Sequence, residues 1–88
     1  MPETPPNTSF QVIIVSPNET IFEGQAVRFF APGANQEIAI LPDHTPLYSA
    51  LHKGQIKVHG PNSQLNTFDI DSGILRVKSN QVTAIIGL

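Results

Sequence analysis

The sequence predicts an all-β chain, a small sandwich or barrel of short strands, and three observations carry that reading. Polar and apolar residues alternate with period 2 through the second half of the chain. Turn signals recur roughly every 8–12 residues, the spacing of sandwiches and barrels. No window sustains a 3.6-residue period, and prolines at 32, 42, 46 and 61 leave little room for a helix.

Residues 1–9 read as a loose N-terminal tail, because prolines at 2, 5 and 6 forbid regular pairing, and residues 10–88 as the folded domain. Phe10–Val15 is rich in β-branched residues, suits extended backbone, and closes at the turn signal Ser16-Pro17-Asn18. Residues 20–22 form a short extended piece ended by Gly24. Residues 27–31 stop at the turn dipeptide Pro32-Gly33, and residues 37–41 stop at Pro42. Leu47–Leu51 comes next, and Lys53-Gly54 turns the chain into residues 55–59. Ile56 and Val58 then oppose Gln55, Lys57 and His59. Phe68 and Ile70 oppose Thr67, Asp69 and Asp71, and Leu75 and Val77 oppose Arg76 and Lys78. Val82, Ala84 and Ile86 share one parity against Thr83. Gly60-Pro61-Asn62-Ser63 and Ser79-Asn80 read as hairpin connections.

Composition narrows the function. The 88 residues suffice for one domain, and 40% hydrophobic against 14% charged residues is too apolar for disorder. Absence of cysteine removes disulfides, Cys-based zinc sites and thiol nucleophiles. Five Lys and Arg scattered along a chain of net charge −2 make no nucleic-acid footprint. Apolar runs such as Val12–Val15 fall far short of the about 20 residues that span a bilayer, so no direct membrane insertion is expected. The polar, proline-rich start lacks the basic and apolar regions of a secretory signal, so the sequons at Asn7 and Asn18 carry no expectation of glycosylation. A soluble chain is predicted, one able to sit against a membrane complex.

Reaction chemistry is hard to find. His44, His52 and His59 lie eight and seven positions apart, neither i, i+2 on a strand nor i, i+4 on a helix, and polar surface histidines fit better than a metal site. Asp43, His44 and Ser49 supply the residue types of a hydrolase triad without a G-x-S-x-G elbow. Asp69 and Asp71 share the solvated parity of one strand, and the glycines do not cluster into a phosphate loop. No cofactor is expected. The informative stretch is I-L-P-D-H-T-P-L over residues 40–47, where Pro42 and Pro46 restrict their own φ and the residues before them. A loop so stiffened, carrying His44 and followed by Leu47 and Tyr48, would make a preformed contact patch. A loop stiffened only to turn a corner between sheets is the alternative.

Ordered along the chain are Ile13-Ile14-Val15-Ser16-Pro17, Phe22-Glu23-Gly24, the segment from Asn35 to Leu47 with its P-x-H-x-P-L core, Lys53-Gly54-Gln55-Ile56-Lys57-Val58, and Ser72-Gly73-Ile74-Leu75-Arg76-Val77 with Asn80-Gln81-Val82-Thr83. In that order they resemble the N-terminal β domain of the epsilon subunits of F-type ATP synthases, over nearly the whole chain. The resemblance departs at Ala39, where the family usually has glycine, at Asp43, where glycine or asparagine is frequent, and at Ser72, which replaces the first of two glycines.

The resemblance implies a small β-sandwich of about ten short, mostly antiparallel strands, acting as a non-catalytic rotor subunit of the central stalk that clamps the gamma subunit to the c-ring and couples proton flow to ATP synthesis or hydrolysis. It implies a peripheral place in the F1 sector on the cytoplasmic face of a bacterial inner membrane. By position, Ser16, His44 and Ser49 should face gamma, with Leu47 and Tyr48 as the apolar centre of that contact. The loop of Gly33, Ala34, Asn35, Gln36 and Glu37 should face the polar loops of the c-ring, Glu37 supplying the acid. Most family members continue into two C-terminal helices that inhibit hydrolysis, and a short form lacking that hairpin is expected here. From a different class, a freestanding β-sandwich ligand-binding module is the alternative, although aromatics are 7% and tryptophan is absent. A small metal-dependent β-barrel enzyme would require the three histidines to converge.

Overall fold

A computed structural model describes residues 8–87; residues 1–7 of the tail expected over 1–9 lie outside them, as does Leu88. The described residues contain nine strands, one fewer than the expected ten or so. They are β1 (Phe10–Val15), β2 (Thr20–Ala26), β3 (Arg28–Pro32), β4 (Glu37–Ile40), β5 (Leu47–Leu51), β6 (Gly54–His59), β7 (Leu65–Ile70), β8 (Gly73–Lys78) and β9 (Gln81–Ile86). One sheet has the order β2-β1-β9-β8-β5 and the other β4-β3-β6-β7. Among the described residues no helix is long and apolar enough to cross a membrane.

Every connection carries the chain to a strand running the opposite way, so odd-numbered strands all point one way and even-numbered strands the other. Antiparallel pairing therefore joins odd to even, as in β3 with β6 and β5 with β8. β1 and β9 are both odd, and as neighbours they must pair in parallel, Gln11 beside Gln81 and Val15 beside Ile85. The same alternation sorts the loops. One end of the sandwich carries the β2–β3, β4–β5, β6–β7 and β8–β9 connections; the other carries β1–β2, β3–β4, β5–β6 and β7–β8. Strands of six residues separate the two ends by about 20 Å.

The core follows parity. Phe10, Val12 and Ile14 of β1 are buried, as are Ile56 and Val58 of β6, Leu75 and Val77 of β8, and Val82, Ala84 and Ile86 of β9. Phe29, Ala31 and Ile40 fill the facing sheet, and no polar side chain of the described residues is buried. A continuous apolar layer between two sheets is what period-2 sequences produce when one face of each strand leaves water.

One element departs from expectation. Gly24 does not end β2, which runs on to Ala26 and pairs with β1 along its length, Gly24 opposite Val12. Phe22 and Gly24 share the inward parity, and a Cβ on Gly24 would lie 3.2 Å from the Phe22 ring. The glycine is thus covered by the ring two residues before it, and this ring also meets Phe68 of β7 at 5.6 Å between centroids, closing the sandwich at its β2–β7 edge. Elsewhere boundaries move by a residue: β3 begins at Arg28 and includes Pro32, β4 stops at Ile40, and β6 begins at Gly54.

Candidate functional site: two loops at opposite ends of the sandwich

Leu41, Pro42, Asp43 and His44 form a turn closed by the His44 N–H donating to the Leu41 carbonyl at 3.2 Å. Proline supplies the fixed φ of the first central position, and Asp43 takes a φ of 63° at the second, the pattern of a type II turn. Such a position favours glycine or asparagine, which gives the departure at Asp43 a physical meaning. A second left-handed element meets it. Ser79 and Asn80, with φ of 51° and 58°, make the two-residue connection between β8 and β9, with Lys78 paired to Gln81. The Asp43 N–H donates to Asn80 Oδ1 at 2.6 Å, and Asn80 Nδ2 donates to Asp43 Oδ1 at 2.9 Å. A residue from the last hairpin therefore clasps the proline loop to the five-stranded sheet.

This clasp positions His44. Its ring is half-buried, and Nδ1 lies 2.6 Å from the Thr45 carbonyl oxygen. A carbonyl can only accept, so Nδ1 is the donor of this contact. β5 leaves the loop at once, and its pleat divides the patch that Leu47, Tyr48 and Ser49 were expected to form. Leu47 packs against the core and Ser49 shares its inward parity, whereas Tyr48 stands on the outer face with 73% of its surface exposed. Leu47 supports the strand from behind while Tyr48 presents the aromatic surface.

Ser16 lies elsewhere. It follows the last residue of β1, and its hydroxyl and N–H both donate to the Glu19 carbonyl, at 3.3 and 2.8 Å. That places it at the β1–β2 end of the sandwich, the end opposite His44. Of the residues expected to face gamma, the structure brings His44, Leu47, Tyr48 and Ser49 together and sets Ser16 about a strand length away.

The second loop shares the end of Ser16. Gly33 N–H donates to the Gln36 carbonyl at 3.1 Å, closing a hairpin with Ala34 and Asn35 at its tip and Pro32 paired with Glu37. A Cβ on Gly33 would sit 2.7 Å from that carbonyl and 3.0 Å from the Ile38 side chain, so only glycine fits the turn without a shift. Ala34, Asn35, Gln36 and Glu37 are exposed, and together with Gln55 and Lys57 they border a shallow open depression. Its rim carries one carboxylate, Glu37, at the hairpin and one cation, Lys57, on β6, among neutral polar groups.

Histidines do not form a third site. His44 sits in the proline loop, His59 ends β6 with its ring edge-on to Phe30 at 5.5 Å, and His52 lies at the opposite end, its N–H donating to the Pro32 carbonyl. Among the described residues no three histidines, aspartates or glutamates gather as metal ligands would. Sequence reasoning passed over Asn80 as a clasp and did not place Arg76 beside Tyr48. The parity of β8 already turned Arg76 outward, but its partner on β5 depends on sheet order.

Residues 9–86 match the family of the ATP synthase delta/epsilon chain beta-sandwich domain. The chain is 40% identical over 77 residues to the ATP synthase epsilon chain of Hydrogenovibrio crunogenus, covering 88% of this chain and 53% of that one. It is 35% identical over 78 residues to the chloroplastic epsilon chain of Mesostigma viride, covering 89% and 59%. The chain spans about half the length of the curated relatives it matches. Its fold superposes with a TM-score of 0.86 on a chain of the Euglena gracilis mitochondrial ATP synthase at 14% identity, covering 97% of this chain and 54% of that one. A chain of the Tetrahymena thermophila mitochondrial ATP synthase central stalk and c-ring gives 0.71 at 15% identity, covering 94% and 66%. On the match across residues 9–86, the chain belongs to the ATP synthase delta/epsilon family, whose beta-sandwich domain it contains.

Proposed function

We propose that the chain acts as a non-catalytic central-stalk subunit of a proton-translocating F-type ATP synthase, peripheral to the membrane in the F1 sector on the cytoplasmic face of a bacterial inner membrane. Its sandwich binds the gamma subunit through the clasped loop at one end and the c-ring through the Gly33–Glu37 hairpin at the other. The observation that supports this most is the disposition of the two loops, rigidly built at opposite ends of one two-sheet body. Interiors packed like crystals resist deformation, so torque applied at one end reaches the other without slip. The chemistry suits an adaptor, since the exposed hairpin tip of residues 34–37 and the exposed Tyr48 face each offer a surface for a protein contact.

Charge reversal tests the c-ring end. Glu37 is exposed, so Glu37→Lys leaves the fold intact while opposing a basic partner. The expected result in reconstituted vesicles is weaker proton pumping at unchanged ATP hydrolysis. Pumping and hydrolysis both equal to those of the unmodified enzyme would overturn the assignment of this hairpin. Ser16 belongs to the same end, and its contact with gamma requires that gamma reach along the sandwich as well as over the clasped loop.

A further inference from the structure

We propose that Arg76 and Lys78 extend the gamma-facing surface into a cationic groove that receives an acidic segment of gamma carrying a neighbouring apolar side chain; this rests on the function proposed above. Both residues lie on the outward parity of β8, i and i+2, about 7 Å apart along the strand. Arg76 stands between Tyr48 of β5 and Thr83 of β9, and Lys78 stands beside Gln81. A carboxylate directly opposite a cross-strand cation stabilises it. Here every opposite neighbour is neutral, and among the described residues neither cation has a hydrogen bond or ion pair. The carboxylate in the same row, Glu23, is three strands away across Thr83 and Ile13, about 14 Å. Asp43, at the nearby loop, is engaged by Asn80.

Two adjoining hollows share these cations. One, about 340 Å³, is bordered by Arg76, Lys78, Ser79, Gln81 and Thr83 and offers charge with hydroxyl and amide groups. The other, about 290 Å³, lies between Pro46, Leu47 and Tyr48 on one side and Arg76, Val77 and Lys78 on the other, and is mainly apolar. The pairing suits a segment that sets a carboxylate against the Arg76 fork and an apolar side chain against Tyr48. The surface is continuous with the clasped loop that carries His44, so a partner seated there covers the groove.

The test is binding of the full chain to the gamma subunit, followed by surface plasmon resonance over a range of salt concentrations, for the unmodified protein and for the double variant Arg76→Gln, Lys78→Gln. Both positions are exposed, and the variant should melt like the unmodified chain. Association should slow by about tenfold at low salt, and its dependence on salt should flatten, because exposed charges act chiefly on encounter. Tyr48→Ala should instead speed dissociation with the salt dependence retained. Equal association rates and equal salt dependence in the double variant would overturn the proposal while leaving the gamma-binding function standing. Gamma binding unaffected, with loss of binding to phosphatidylglycerol vesicles, would also overturn it and assign the cations to lipid. An unmodified chain that fails to bind gamma would overturn both readings.

Discussion

Asn80→Ala probes the clasp that holds the proline loop. The substitution removes both side-chain hydrogen bonds to Asp43 while keeping the Asn80 carbonyl that accepts from the Gln11 N–H at 3.0 Å. Two bonds at an exposed site contribute about 1–2 kcal/mol together, at the lower end of the usual range. Alanine must also hold the φ of 58° that asparagine tolerates better, adding about 0.5–1 kcal/mol. The sum is about 1.5–3 kcal/mol, which for a domain of this size lowers Tm by about 6–20 °C. Differential scanning calorimetry measures it, with Asn80→Gly as the companion. Glycine loses the same two bonds but relaxes the backbone, so after its added unfolded-state entropy its destabilisation should be smaller than alanine's by about 0.5–1 kcal/mol. Amide exchange at Asp43 should accelerate in both variants, because its acceptor is gone. Asn80→Ala melting within about 3 °C of the unmodified chain, or Asp43 exchange unchanged, would refute the clasp.

Two other substitutions test the turn and packing arguments. Ser79 holds a φ of 51° on the exposed side of the β8–β9 turn, so Ser79→Gly relieves about 1–2 kcal/mol of left-handed strain against about 0.4–1 kcal/mol of added unfolded-state entropy. A net gain of about 0.5–1 kcal/mol in urea unfolding is expected, and a loss would show that the Ser79 side chain stabilises the turn. Gly73 opens β8 opposite Ile86, and a Cβ there would lie 2.6 Å from the Ile85 carbonyl oxygen. Gly73→Ala should therefore destabilise by about 1–3 kcal/mol, read as a lower urea midpoint at unchanged slope.

Local patterning explains why much of this molecule was readable before any coordinates. The alternation of Leu75 with Arg76 and of Val82 with Thr83 names buried and exposed faces directly, because a pleat turns each successive side chain over. Ser79-Asn80 announces a tight hairpin, and Pro42 with Pro46 announces a constrained loop, because φ preferences belong to single residues. Gly24 misled for the same reason. A glycine looks like a terminator until the Phe22 ring that covers it is seen on the same face. Leu47 and Tyr48 looked like one patch because they are adjacent in the chain, yet the pleat sends them to opposite faces.

Turn chemistry and period-2 alternation, both interactions of near neighbours, were enough to establish strands, their buried and exposed faces, and an all-β fold. The pairing of β1 with β9, the clasp between Asp43 and Asn80 across 37 positions, and the meeting of Arg76 with Tyr48 came only with the folded chain. These depend on which strand lies beside which, and sheet order is chosen by the burial of all nine strands together. The separation of Ser16 and the Glu37 hairpin from His44 has that same origin, since the end at which a loop emerges is set by the direction of every strand before it.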